Sequence, residues 1–144
     1  TPVTPCAAFD TRTTENATGT FAGARTGNNV TTYQITGTIP TEQGGNGGNC
    51  GIPTNATAVL INLVAVNSIR AGNLQAYATG TTPTGGVVNF APLVPAMNNA
   101  NAVPIPINNP INNGQINIRT NAGPTGAGQP TTHIRGIILG YFTS

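Results

Sequence analysis

Hydrophobic and polar residues alternate along most of the chain, and clusters of Gly, Pro and Asn interrupt the alternation about every ten residues. Short apolar runs bounded by turn-forming residues predict an all-β protein with about nine short strands. No stretch of about a dozen residues has the periodicity of an amphipathic helix. The predicted strands are residues 3–9, 19–25, 30–38, 56–67, 73–78, 87–90, 102–107, 115–119 and 133–142.

Residues 56–67 form the longest run dense in apolar side chains, and many of these are β-branched. Turn-forming residues precede and follow the run, so the pattern predicts a central strand that is buried on both faces. Asn62 is the polar exception within it. A buried amide needs hydrogen-bond partners, which we expect to be backbone groups. Residues 133–142 also alternate two apolar sets, which again predicts burial on both faces.

The segment 102–107 contains Pro104 and Pro106, and Pro110 follows it. Proline cannot donate a hydrogen bond to a sheet ladder, so we predict an edge strand or an extended crossing here. A second irregular feature is the glycine-rich loop 44–49, which is flexible unless something fixes it. Cys50 follows this loop directly.

The length of 144 residues fits one domain, and we predict a single β-sandwich over residues 1–144, either jelly-roll or immunoglobulin-like. Only 6% of the residues are charged, against about 25% in ordinary soluble domains. Thr and Asn fill the polar positions instead. Copies of such a chain repel one another little, which favours a homo-oligomer, a homopolymer or a glycan coat.

The five cationic residues are all arginines and are scattered along the chain. Nucleic-acid binding requires clustered basic charge, so we expect no nucleic-acid partner. No apolar run approaches the roughly 18 residues of a membrane span, and none resembles a signal peptide. Because the chain also begins without Met, we expect a mature secreted polypeptide whose signal peptide has been removed, and an excised domain is the alternative.

The two cysteines, Cys6 and Cys50, predict one disulfide, and two buried free thiols are the alternative. The disulfide would close a loop of about 45 residues and stabilise the fold by roughly 4 kcal/mol. It would also indicate an oxidising compartment, outside the cell or at its surface. Asn-x-Ser/Thr sequons make Asn16, Asn29 and Asn55 candidate glycosylation sites.

Candidate catalytic groups are few: the carboxylates are Asp10, Glu15 and Glu42, and His133 is the one histidine. A triad of Ser68, His133 and Asp10 lacks a nucleophile elbow around the serine. We therefore expect no catalytic residue and a structural, hydrogen-bonded His133. With the thiols paired and so few carboxylates, we also expect no metal and no cofactor.

Asp10 and Arg12 lie two residues apart on an extended segment, so their side chains face the same way. We predict a structural role for this pair at a strand end. The preceding segment is short, uncharged and extended by its prolines, and it is a candidate assembly arm that adds a strand to a neighbouring subunit. The arm comprises Thr1, Pro2, Val3, Thr4 and Pro5.

Several landmarks, kept in order and spacing over nearly the whole chain, resemble a β-rich accessory module found in secreted multidomain bacterial proteins. They are Pro5-Cys6, Asp10-Thr11-Arg12, Cys50-Gly51-Ile52-Pro53, Ala58-Val59, Asn62, Val66, Gly72-Asn73-Leu74, Tyr77, Gly80, Asn89-Phe90, Asn99-Ala100-Asn101, His133 and Gly140-Tyr141-Phe142. The resemblance implies a secreted, non-catalytic domain, and the shared cysteines support the disulfide. The module carries an aspartate shortly before its final Gly-Tyr-Phe, where this chain has Ile137, Ile138 and Leu139. The resemblance therefore supplies no charge partner for Arg12 from the last strand.

These observations lead to two functional hypotheses. The first is a non-enzymatic structural subunit of an extracellular assembly: a filament, a pilus-like fibre, a sheath or a surface layer. The alternative is a secreted adhesion module that binds glycans or a cell surface. In that case the Asn-rich segments 98–101 and 108–113 would make amide hydrogen bonds to the ligand.

Overall fold

The computed structural model describes residues 1–83, 85–92, 98–107, 114–123 and 126–144. Strand residues make up 53% of the residues that the structure describes, which confirms the all-β prediction. The strands in the described residues are β1 (Pro2–Asp10), β2 (Arg25–Thr26), β3 (Asn29–Gln34), β4 (Ala58–Val66), β5 (Gly72–Ala78), β6 (Val88–Phe90), β7 (Asn99–Pro106), β8 (Gln115–Ala122) and β9 (Pro130–Phe142). Short 3₁₀ turns occupy Thr13–Glu15, Gly19–Phe21 and Thr41–Gln43.

Two antiparallel sheets pack against each other as a β-sandwich. The five-stranded sheet has the order β1-β9-β4-β7, with β2 also paired to β9. The four-stranded sheet has the order β3-β8-β5-β6. Strand β1 therefore lies beside β9, and β4 occupies an interior position between β9 and β7. Strand β7 pairs with β4 alone in its sheet, which confirms the predicted edge strand.

The core lies between the sheets and is centred on a stacked aromatic pair. The rings of Phe9 and Tyr33 lie 3.9 Å apart between centroids and join β1 of one sheet to β3 of the other. Gly136 in β9 makes room for this stack, because a Cβ atom there would lie 2.2 Å from Cζ of Phe9. The other large, fully buried side chains are Ile35, Ile39, Ile61, Leu63, Leu74, Ile105, Ile116, Ile118, Ile134 and Ile138.

The prediction that β4 is buried on both faces is wrong. Ile61 and Leu63 are fully buried, whereas Leu60 and Val64 are half-buried, so only one face of the strand meets the core. Asn62 is half-buried on the outer side and is not a core amide. The same correction applies to β9, where Ile134 and Ile138 are buried and the outer residues between them are half-exposed. A sandwich of two layers leaves each sheet one outer face.

The predicted strand 19–25 is also wrong, since only Arg25–Thr26 pairs with a neighbouring strand. Gly19 and Gly23 have φ angles of 58° and 96°, which interrupt an extended backbone. The backbone curls around the buried guanidinium of Arg25. That guanidinium donates to the carbonyl oxygens of Thr20 at 3.0 Å, Ala22 at 2.9 Å and Gly23 at 2.9 Å.

The disulfide between Cys6 and Cys50 is present, with a Cα–Cα distance of 5.5 Å. It joins β1 to the segment that leads into β4. The glycine-rich loop before Cys50 is also held by backbone hydrogen bonds, from Gly45 to Glu15 at 2.7 Å and from Asn46 to Ala7 at 2.9 Å. The loop thereby covers the outer side of β1. None of the described residues forms a helix long and apolar enough to cross a membrane.

Candidate functional site

Asp10 is fully buried and binds Arg12 through both carboxylate oxygens. Oδ2 accepts a hydrogen bond from Nη2 at 2.6 Å, and Oδ1 accepts from Nε at 3.0 Å. This bidentate contact raises the pKa of Arg12. Arg135 of β9 approaches Oδ2 to 3.6 Å, so the last strand supplies a second cation and not the carboxylate of the resembling module.

His133 and Ser68 do not meet as a catalytic pair. Nδ1 of His133 lies 3.1 Å from Oγ1 of Thr11, and burial lowers the pKa of His133. Oγ of Ser68 instead lies 2.8 Å from Oγ1 of Thr132. Ser68, His133 and Asp10 therefore form no triad, because each of them is hydrogen-bonded to a residue outside this set.

The candidate glycosylation sites Asn16, Asn29 and Asn55 are all exposed. Asn16 follows the first 3₁₀ turn with a φ angle of 71°, and Asn29 begins β3. Oδ1 of Asn29 accepts a hydrogen bond from the hydroxyl of its own sequon residue, Thr31, at 3.0 Å. All three positions are therefore accessible to a glycan.

The candidate arm is extended, but it pairs with β9 of its own chain. Thr1 and Tyr141 exchange backbone hydrogen bonds of 2.8 Å in both directions, and Pro2 lies opposite Gly140. The pairing is irregular between Pro2 and Cys6, and most residues of this stretch are exposed. Addition of this segment to a neighbour would require it to leave β9.

Side-chain amides join the edges of the two sheets on both sides of the sandwich. Buried Gln43 donates through Nε2 to the carbonyl oxygens of Ala8 (3.2 Å) and Gln34 (3.1 Å), and its Oε1 accepts from the Gln34 N–H at 2.7 Å. It thereby links β1 to β3. We call this contact the Gln43 clasp, and it satisfies backbone groups that would otherwise template another strand.

The opposite edge is joined by two asparagines of β7. Nδ2 of Asn99 donates to the carbonyl of Asn89 and Nδ2 of Asn101 donates to the carbonyl of Val87, both at 2.9 Å. These amides form hydrogen bonds inside the molecule, and residues 99–101 lie in β7 and not in a loop. Glycan binding by segment 98–101 stays a prediction. Segment 108–113 lies outside the described residues.

The outer face of the five-stranded sheet is almost entirely apolar, and we call it the apolar face. Its members are Ala58, Leu60, Val64, Ala100, Ala102, Pro104, Pro106, Ile137, Leu139 and Phe142. Asn62, His133 and Arg135 are polar residues on this side of β4 and β9, and Arg135 lies beside Asp10, which also binds Arg12. Phe142 is 48% exposed at one end. Leu60, Leu139 and Phe142 line a shallow pocket of about 140 Å³ with Pro2.

The outer face of the four-stranded sheet is built mainly from amides, and we call it the amide face. It comprises Val30, Thr32, Gln34, Asn73, Gln75, Tyr77, Asn89, Gln115, Asn117, Arg119 and Asn121. The strand register places Arg119 between Val30 and Gln75, and Asn117 between Thr32 and Tyr77. Three strands thus bring together residues that lie far apart in the sequence.

Hydrogen bonds fix several of these amides in place. Nδ2 of Asn121 donates to Oδ1 of Asn73 at 3.0 Å and to Oε1 of Gln75 at 2.8 Å. Oγ1 of Thr32 donates to Oδ1 of Asn117 at 2.7 Å. Because the oxygens of Asn73, Gln75 and Asn117 are the accepting groups, their N–H groups are not used in these hydrogen bonds.

No family model matches this chain, and no curated protein matches it. The amide face could not be predicted as a candidate site from the sequence, because alternating polar residues in a strand indicate only that one side is solvated.

Proposed function

We propose that the protein is a non-enzymatic structural subunit of an extracellular assembly, such as a filament, pilus-like fibre, sheath or surface layer. Its copies associate through the apolar face. The observation that supports this proposal is a broad, mainly apolar outer sheet surface on which the cation Arg135 lies beside the carboxylate of Asp10. Extended apolar patches on soluble proteins are typical of interaction sites.

The occupant of this face is a second copy of the chain. The near absence of charge means that two such faces do not repel each other, and the low charge of the whole chain reduces repulsion further. Sheets pack face to face at about 10 Å, so Leu60 and Ile137 would interdigitate with their counterparts. Each square ångström of apolar surface removed from water contributes about 25 cal/mol.

Two copies that associate through the same face form a closed dimer, because neither copy has that face left for a third. A fibre therefore needs a second contact. The segment Thr1–Pro5 supplies a candidate, by pairing with β9 of a neighbour in place of its own β9. The disulfide at Cys6 keeps the rest of β1 in position during such an exchange. The disulfide also supports an oxidising, extracellular location.

Sedimentation velocity and electron microscopy of the purified protein test this proposal. We expect Leu60→Lys combined with Ile137→Lys to give monomers, because two cations would be desolvated in the contact. Deletion of residues 1–5 should leave dimers but prevent polymers. The matched control is Thr32→Lys combined with Asn117→Lys on the amide face, which should assemble normally. Assembly that survives the apolar-face pair would contradict the proposal.

The amide face favours a second function, binding of glycans at a cell surface or in a matrix. Sugars present hydroxyl groups that both donate and accept hydrogen bonds, and so do carboxamides. Tyr77 adds an aromatic ring with a polar tip at the middle of this surface. Loss of oligosaccharide binding in Tyr77→Ala and Asn117→Ala, with folding unchanged, would support this function. Unaltered binding in both variants would contradict it.

A further inference from the structure

Arg119 is an unpaired cation at the centre of the amide face. Among the described residues it forms no hydrogen bond and no ion pair, and its Nε–H is buried without an acceptor. Every other arginine has a partner: Asp10 for Arg12 and Arg135, and backbone carbonyls for Arg25 and Arg70. The guanidinium of Arg119 therefore has donors that no described group of the chain satisfies.

The chain itself has no carboxylate to offer at this position. Its three acidic residues are Asp10, Glu15 and Glu42, and all lie among the described residues. Asp10 and Glu15 face Arg12, and Glu42 lies in a 3₁₀ turn where it is next to Thr41. A counterion for Arg119 would thus come from outside the chain.

The groups around Arg119 are also donors. Gln75 and Asn117 accept hydrogen bonds from neighbouring side chains through their oxygens, so their amide N–H groups are not used in these bonds. Gln75 lies opposite Arg119 in the register, and Asn117 is two residues along the same strand. A guanidinium flanked by amide donors is complementary to an anion that carries several oxygen acceptors.

From these contacts we propose that the amide face binds an acidic polysaccharide, with Arg119 contacting the carboxylate of a uronic acid unit. Gln75 and Asn117 would donate to ring and hydroxyl oxygens, and Tyr77 would stack against the apolar side of a sugar. The four strands span three spacings of about 4.8 Å, which accommodates an oligosaccharide better than one sugar. A single cation on the face is too little basic charge for nucleic acid.

This inference rests on the proposed glycan-binding function and names its ligand class. The test is isothermal titration calorimetry of the intact protein with alginate oligosaccharides, a polymer of uronic acids, and with uncharged dextran oligosaccharides. The variant is Arg119→Gln, and the matched control is Arg70→Gln, which removes the same charge elsewhere. We expect alginate binding to fall at least tenfold in Arg119→Gln and to remain unchanged in Arg70→Gln.

The alternative outcomes overturn the proposal in distinguishable ways. Equal losses in the two arginine variants would indicate general charge attraction. If dextran bound as well as alginate and Tyr77→Ala weakened both, glycan binding would stand but the acidic ligand class would fail. If neither sugar bound, both would fail. If Arg119→Gln weakened self-association instead, this face would be a contact between copies.

Discussion

The two outer faces of the sandwich differ in chemistry although their strands share one geometry. The apolar face presents Leu60, Val64 and Ile137, whereas the amide face presents Gln75, Asn117 and Arg119 at comparable positions. Both sheets already have an apolar inner face that forms the core. The core does not need an apolar outer face, so in the proposed assembly this face is the contact with another copy.

Side-chain amides also bridge the edges of the two sheets. Gln43 joins β1 to β3, and Asn99 and Asn101 join β7 to β6. Open edges commonly recruit additional strands, and these side chains occupy backbone groups that such a strand would need. In the proposed assembly, copies therefore associate through the faces and through exchange of the exposed Thr1–Pro5 segment.

The largest expected effect separates the inner from the outer side of β4. Leu63→Ala should lower the free energy of unfolding by about 3 kcal/mol, because it leaves a cavity in the fully buried core. Leu60→Ala on the apolar face should cost less than about 1 kcal/mol in the monomer, since that side chain is already partly hydrated. Urea denaturation of both variants measures the difference. Equal costs would mean that the apolar face is covered within the monomer.

The second prediction compares an amide of the Gln43 clasp with one on the amide face. Gln43→Ala should cost about 2 to 3 kcal/mol, because it leaves buried backbone groups of Ala8 and Gln34 without partners. Gln75→Ala should cost less than about 0.5 kcal/mol, as expected of a surface substitution. Thermal unfolding of the two variants provides the measurement. A large loss in Gln75→Ala would show that the amide face is needed for folding and not for a ligand.

Strand positions could be predicted from the sequence, because alternation in the chain reports alternation across a sheet. The side that each apolar residue faces could not. Leu60 and Val64 are residue types that also occur in cores, so the apolar pattern of residues 56–67 predicted burial on both faces. Nothing local distinguishes an apolar outer face from a core.

The amide face was equally hidden from sequence analysis. Gln75 and Arg119 become neighbours only through the register between β5 and β8, which the sequence does not specify. The failed strand at 19–25 has a different cause. There the buried Arg25 holds the backbone in a turn through hydrogen bonds to carbonyl oxygens. The local sequence does not indicate that this arginine is buried.

The third prediction uses salt to separate the two faces. Raising NaCl from about 0.05 to 0.5 M should weaken alginate binding by about threefold, because the contact with Arg119 is screened. The affinity of self-association through the apolar face should be unchanged, because no ion pair forms between the two copies there. Parallel calorimetry and sedimentation at both salt concentrations test this contrast. Self-association that weakens with salt would argue for an ionic contact between copies.

The smallest expected effect concerns His133, the one histidine of the chain, on the outer side of β9. Burial lowers its pKa from the ordinary value of 6.5, and the nearby cations Arg12 and Arg25 lower it further, while the hydrogen bond with Thr11 and the charge of Asp10 raise it. The unfolded state then binds a proton more readily, so stability should fall as pH drops below about 6.5. His133→Gln should reduce this slope between about pH 7.5 and 5.5. An unchanged slope would assign the titration to another group.

The central claim is that association uses the apolar face and leaves the amide face free. The most direct measurement is the number of alginate oligosaccharide sites per subunit in the assembled protein and in the dispersed variant with Leu60→Lys and Ile137→Lys. We predict the same number of sites per subunit and the same affinity in both. Loss of binding on assembly, with recovery in the dispersed variant, would show that the amide face is buried between copies and would contradict the claim.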